Sequence, residues 1–156
     1  MRSFKLSYAS RADVDLLAKH RVMMWLDIHP EYEKEVRATE KRTRRWIADQ
    51  LSKGNLIGLL VRSLDGEVVG SGCIWLREEQ PRPSSMRLVV PYLMSMYTVK
   101  GCRRQGVATL IVNGALKWCR KKNFDKIVLH ASKEGRSVYE GLGFEPSNEM
   151  RFRFRK

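Results

Sequence analysis

Hydrophobic and polar positions along the chain change period in a fixed order. Phe4, Leu6 and Tyr8 alternate with polar or small residues, the period of two expected of a short strand over residues 4–9. Ser10 and Asp13 form a short capping box. Val14, Leu17, Ala18, Met24 and Trp25 then follow at helical spacing, with Arg21 the one polar interruption, until Pro30 stops the helix. A second helix, over residues 31–51, is heavily charged. Its thin apolar content (Val36, Trp46, Ile47 and Leu51) places it on the outside of the domain. Residues 56–64 and 67–76 are apolar, β-branched-rich runs joined by Asp65-Gly66, a hairpin signal because the tight turn needs positive φ. Residues 77–91, with Pro81, Pro83, Ser84 and Ser85, read as an exposed loop.

The second half is more strongly patterned. A strand over 92–99 passes through a basic turn, 100–106, into a helix over 107–123 that puts Ala108, Ile111, Val112, Ala115 and Cys119 on one stripe. Residues 126–132 form a strand apolar enough to be buried on both faces, and 134–142 a short helix closed by Gly143. Met150, Phe152 and Phe154 alternate with Arg151, Arg153 and Arg155, which predicts a last strand with one dry face. The order is β-α-α-β-β-β-α-β-α-β. The strand–helix–strand unit should be parallel and the hairpin antiparallel, which makes a mixed α/β (α+β) fold. No repeat, low-complexity stretch or linker interrupts it, and 1–156 is expected to form a single domain.

Charge narrows the partners. With 30 Lys and Arg against 17 Asp and Glu, the net charge is +13 and the pI about 10.1, so polyanions are attracted. Nucleic acid, an anionic cofactor and an acidic acceptor all satisfy that. Lys41, Arg42, Arg44 and Arg45 make a basic patch that reads as solvated surface. Cys73, Cys102 and Cys119 lack metal-ligand spacing, so no metal is expected. No apolar run approaches the roughly 20 residues of a membrane helix. With no signal-like segment behind Met1, a cytoplasmic location is expected.

The chemistry gathers at Arg103-Arg104-Gln105-Gly106-Val107-Ala108, an Arg-x-x-Gly-x-Ala turn. A helix start leaves its first N–H groups without intrahelical partners and carries the positive end of the dipole. Gly106 lets a ligand approach the backbone, and Lys100, Arg103 and Arg104 add full charges. That combination suits a diphosphate. Gly101 and Gly106 have P-loop spacing, but Val107-Ala108 stand where that loop needs Lys and Ser/Thr, and Gly-x-Gly-x-x-Gly is absent.

This turn, with Tyr139-Glu140-Gly141-Leu142-Gly143-Phe144 at the right distance after the fifth strand, resembles the GCN5-related N-acetyltransferase (GNAT) family. The resemblance implies a mostly antiparallel sheet flanked by helices, whose central parallel strand pair splays around the cofactor. It implies acetyl-coenzyme A as donor and a primary amine, on a small molecule or a protein, as acceptor. The diphosphate would rest on N–H groups around Arg104, Gln105, Gly106, Ala108 and Thr109, beside Arg103. The pantetheine arm would pair with main-chain groups of Tyr97 and Val99. A fourth-strand N–H would face the acetyl oxygen. Tyr139 would be the general acid that protonates the departing thiolate.

The chain departs from the family pattern in two places. Ser132 stands where many members have a cofactor-binding Asn, with a shorter reach. No Glu lies on the fourth strand, which leaves water, a backbone carbonyl, or Asp27, His29 or Glu31 to take the proton from the amine. His130 reads as a core histidine, and His20 as inert on a charged helix face. Cys102 sits among cations that activate a thiol, yet the resemblance puts its loop at the diphosphate, away from the thioester. A nucleic-acid-binding module, without a recognised binding signature, and a non-catalytic acetyl-coenzyme A sensor are the competing readings. Family members are often homodimers.

Overall fold

The computed structural model describes residues 3–154. Strand β1 (Phe4–Tyr8) leads through the Ser10–Asp13 capping box, with Ser10 Oγ accepting from the Ala12 N–H at 3.2 Å, into helix α1 (Val14–Ile28). Helix α2 (Glu33–Ala38) and helix α3 (Glu40–Ser52) follow, then β2 (Leu56–Ser63), β3 (Val68–Glu78) and β4 (Val89–Thr98). Helix α4 (Val107–Lys121), β5 (Val128–Leu129) and α5 (Arg136–Gly141) complete the order.

The five strands form one sheet in the order β1-β2-β3-β4-β5. All neighbours are antiparallel except β4 and β5, the parallel pair expected of the strand–helix–strand unit. The alternation of β2 explains the layering. Leu59 and Val61 face one side and pack with Val107, Ile111, Val112 and Ala115 of α4. Leu56 and Leu60 face the other and pack with Leu17, Ala18 and Ile47 of α1 and α3. Gly70 and Gly72 of β3 let α4 approach closely, because a side chain at either would collide with Val107 or Ile111.

Two irregularities shape the flank of β4. A bulge in this strand breaks its register with β3 between the pairs Cys73↔Met94 and Ser71↔Tyr97, so that Gly72 opposes Ser95 and Met96 together. Ser95 sits at φ 57°, and Met94 and Ser95 consequently both face the α1 side. The second irregularity is β5, which pairs with β4 only at Tyr92↔Val128 and Leu93↔Leu129. Beyond Leu93, β4 runs on to Thr98 paired with β3 alone; among the described residues no strand pairs with its other flank, and this unpaired stretch is the gap beside β4.

Several expectations change. The charged helix over 31–51 is two helices with a break at Thr39, whose hydroxyl donates to the Val36 carbonyl at 2.7 Å and competes with the helical ladder. The buried strand over 126–132 contracts to two residues. The loop before β4 is fastened down: Arg82 makes two bonds to Asp125 (2.8 and 2.9 Å) and one to Glu79 (2.7 Å), and Arg87 lies 4.2 Å over the Phe124 ring. The last strand does not form among the described residues. Met150, Phe152 and Phe154 are 78–95% exposed, and Arg155 lies outside the described residues. A dry face needs a neighbouring layer to dry it, and none covers this segment among the described residues.

Candidate active site

Gly106 closes the basic turn at φ 83°, a conformation that disfavours any side chain, and Arg104 before it is at φ 59°. The first helical bond of α4 runs from the Leu110 N–H to the Gly106 carbonyl at 2.9 Å. The N–H groups of Val107, Ala108 and Thr109 therefore have no intrahelical partner, and they stand at the positive end of a 15-residue helix. Gln105 bonds back to the Gly101 carbonyl at 3.0 Å, which ties the turn to itself. Amides arranged in this way at a helix start can receive an anion such as a diphosphate.

The cations around it are not equivalent. Arg103 is ion-paired with Asp27 of α1, gives Nε to the Thr98 carbonyl at 3.0 Å and lies 5.8 Å over the Tyr97 ring. Lys100 reaches the same carboxylate at 3.7 Å. Asp27 is thus a tether between α1 and the turn and is not placed to serve as a base. His29 and Glu31 pair with each other at 3.2 Å, and hydrogen bonding to the backbone and to His29 lowers the Glu31 pKa.

Along β4 the ladder already uses the main-chain groups of Tyr97 and Val99, the pair that the resemblance implies for the pantetheine arm. The Val99 N–H is given to the Val69 carbonyl and its carbonyl accepts from Cys102, each at 2.9 Å. Tyr97 opposes Ser71 in the same ladder. Strand alternation then turns the main-chain groups of Met96 and Thr98, not those of Tyr97 and Val99, toward the open flank. The Thr98 carbonyl already shows this by accepting from Arg103 on that side. The Tyr97 side chain is buried beneath the turn.

Tyr139 lies on α5, at the α4 face of the sheet. Its ring stands edge-on to Phe144 at 5.8 Å and packs against the core cluster that Met96 also joins. Burial raises its pKa above the ordinary phenol value, so the hydroxyl keeps its proton at neutral pH. Ser132 Oγ accepts from the Gly135 N–H at 3.1 Å and so caps the turn into α5; its O–H is still able to donate. Cys102 is a buried core residue, 6% exposed, which removes it from any nucleophilic role in the gap.

The two histidines exchange the environments expected of them. His20 is 4% exposed and bonds Ser71 Oγ at 2.8 Å beside the Tyr97 ring; burial, then Lys19, lowers its pKa to about 4. His130 is exposed and bridges Tyr92 Oη (2.5 Å) and Glu149 (3.0 Å). Helical spacing shows that α1 has a buried face but does not mark where that face ends.

On the opposite, α1–α3 side of the sheet a cleft of about 350 Å³ is lined by Arg21, Arg42, Thr43, Trp46, Trp75 and Met94. A second lobe of about 310 Å³ continues from Arg21 to Trp25 and Glu35. Arg21 Nη1 donates to Ser95 Oγ at 2.7 Å, which places the cleft floor against the β4 bulge. In the sequence, the polar interruption at Arg21 is the one sign of this cleft.

The sequence model of the Acetyltransferase (GNAT) family matches residues 21–144, a span that includes the cleft, the amide turn and Tyr139. The chain belongs to that family. Solved structures agree in fold. A GCN5-related N-acetyltransferase from Ralstonia eutropha JMP134 superposes with TM-score 0.88 at 21% identity, covering 97% of this chain and 99% of that one. A predicted acetyltransferase with acetyl-CoA from Clostridium acetobutylicum gives 0.85 at 23% identity, covering 97% and 96%. The glucosamine-6-phosphate N-acetyltransferase of Arabidopsis thaliana gives 0.68 at 13% identity, covering 99% of each. No curated protein matches this acetyltransferase in sequence. Among its described residues no three His, Cys, Asp or Glu gather as a metal site, and no helix is long and apolar enough to cross a membrane.

Proposed function

We propose that this acetyltransferase moves the acetyl group of acetyl-coenzyme A to a primary amine by direct attack, with Tyr139 as the general acid. One observation carries the reading. An amide turn without intrahelical partners at the start of α4 leads on from the unpaired flank of β4, the arrangement a diphosphate with an extended arm attached to it would require. When bound, the donor supplies an activated acetyl group whose thiol is the leaving group.

The chain's own residues divide the remaining work. The N–H groups of Gly106, Val107, Ala108 and Thr109, with Arg104, hold the diphosphate. The turned-out main-chain groups of Met96 and Thr98 align the arm, and the bulge at Ser95 and Met96 directs β4 amides into the gap, where negative charge on oxygen is stabilised. Tyr139 holds its proton on the α4 side. The amine enters from the α1–α3 side, where the described residues place no carboxylate on β4, so water relays its proton outward. Fold alone would not assign this function; the coincidence of cradle, flank and phenol supports it.

The test is thiol release measured across a panel of primary amines, together with donor binding by calorimetry. In Tyr139→Phe, kcat should fall about 100-fold, within the range for loss of a general acid, while the donor Kd stays within about twofold. Unchanged turnover in that variant would remove the proposed acid. Donor binding without thiol release for any amine would leave a sensor, not a catalyst.

A further inference from the structure

Arg21 takes part in none of the ion pairs among the described residues, whereas seven other arginines do. A guanidinium offers five N–H donors and does not lose its charge. Arg21 spends Nη1 on Ser95 Oγ, at 2.7 Å, and lies 5.7 Å over the Trp25 ring. Its other donors are not sealed from solvent, since no buried side-chain nitrogen or oxygen among the described residues lacks a partner, and Arg21 lines both lobes of the cleft. Burial is the largest influence on Arg21 and acts against its charge. A half-buried cation without a carboxylate partner is costly, and an incoming anion relieves that cost.

The surroundings specify the anion further. Trp46 and Trp75 meet edge to face at 5.5 Å and, with Met94, wall the larger lobe with apolar surface. Arg42 and Thr43 add a second cation and a hydroxyl at its rim. Thr39 has already committed its hydroxyl to Val36. Glu35 is the one carboxylate among the described residues lining either lobe, and it lies in the smaller lobe, away from Trp46 and Trp75. So few donors suit a single planar carboxylate better than a doubly charged phosphate, which would leave oxygens unsatisfied among tryptophans. An anion on Arg21 would sit beside Ser95, at the bulge whose main chain borders the gap.

We infer that the cleft selects an amine bearing a carboxylate beside an aromatic body, with Arg21 gripping the carboxylate and Trp46 and Trp75 receiving the body. This rests on the acetyl-transfer reading for the amine alone; the anion site stands on the geometry of the cleft.

A matched trio tests it: phenylalanine, phenylalaninamide and phenethylamine share one aromatic body and differ in charge. The carboxylate member should show kcat/KM at least tenfold above both others, although its amine is more fully protonated than that of the amide. Arg21→Gln should abolish that preference with the acetyl-coenzyme A KM within twofold, and Arg21→Lys should restore part of it. Arg42→Gln, an exposed change at the rim, should weaken the preference without touching Ser95. Calorimetry with 3-phenylpropionate, which carries no amine, reads the anion site independently, and its affinity should fall about tenfold in Arg21→Gln. Equal turnover of the trio, or no binding of 3-phenylpropionate to the wild type, overturns the inference. Binding of 3-phenylpropionate through Arg21 with no amine acetylated supports the anion site and overturns acetyl transfer instead.

Discussion

His20 shows at the scale of one residue how packing sets chemistry. The sequence suggests an inert ring on a solvated helix face, yet it is enclosed between Ser71 and Tyr97 with its pKa lowered to about 4 by burial and Lys19. The unfolded chain takes up a proton on this ring near pH 6.5, whereas the folded chain declines it until about pH 4. Its contribution to stability is therefore full above pH 6.5, is lost progressively as pH falls through that window, and levels off below it. Between pH 7 and 4.5 the loss assigned to this ring is about 2 kcal/mol. Urea denaturation of the wild type and of His20→Gln at both pH values isolates it, because other titrating groups cancel in the difference. A wild-type-minus-variant difference that does not move with pH would show that the ring is protonated in the folded state. Reading the sequence could not reach this. Lys19 and Arg21 flank His20 and look like a charged face, but at 100° per residue each neighbour points elsewhere, and Leu17 and Ala18 share the buried face with His20.

Among the elements, β4 carries most of the site, and its bulge is what strand patterning cannot show. The Arg-x-x-Gly-x-Ala turn, the α4 stripe, the Asp65-Gly66 hairpin and the parallel β4–β5 pair were all legible, because each rests on local residue chemistry or a period. The bulge is not, because an extra residue leaves Tyr92 to Val99 as apolar as before while reversing which alternate residues face the gap. It sets the main-chain groups of Met96 and Thr98 on the open flank, one residue off the Tyr97 and Val99 that the family resemblance implies. Gly72, opposite the bulge, is the residue that permits it. A Cβ there would meet Met96 Sδ at 2.6 Å and Ile111 Cγ2 at 2.8 Å. Gly72→Ala should thus cost about 1–3 kcal/mol by overpacking and should depress kcat further, by displacing Met96 beside the gap. Equilibrium denaturation and steady-state kinetics of the one variant read both effects. Wild-type stability with full activity would mean that the bulge does not depend on this contact. The C-terminal alternation fails as a prediction for a different reason: a dry face is a property of two layers, and Met150, Phe152 and Phe154 have no second layer among the described residues.

Across the whole molecule, the charge of +13 and the geometry of the turn pull toward the same ligand. At the turn itself Asp27 offsets one of the three cations Lys100, Arg103 and Arg104, leaving the cradle net positive, with Arg104 in no ion pair among the described residues. On the proposed reading an anionic donor would be drawn in by a long-range field and held by short-range amide bonds, and the two respond differently to salt. Screening shortens the Debye length from roughly 14 Å at 50 mM to under 6 Å at 300 mM, which weakens capture while leaving bonds inside the gap nearly intact. Raising NaCl over that range should raise the acetyl-coenzyme A KM several-fold and change kcat by less than about twofold. A nucleic-acid module with the same charge would instead bind duplex DNA with a log–log salt slope of several units. Titrating a duplex oligonucleotide and acetyl-coenzyme A at matched salt decides between them. Tight, steeply salt-dependent binding of the duplex beside a salt-insensitive donor KM would assign the basic surface to nucleic acid and leave the cradle to act through its amides alone.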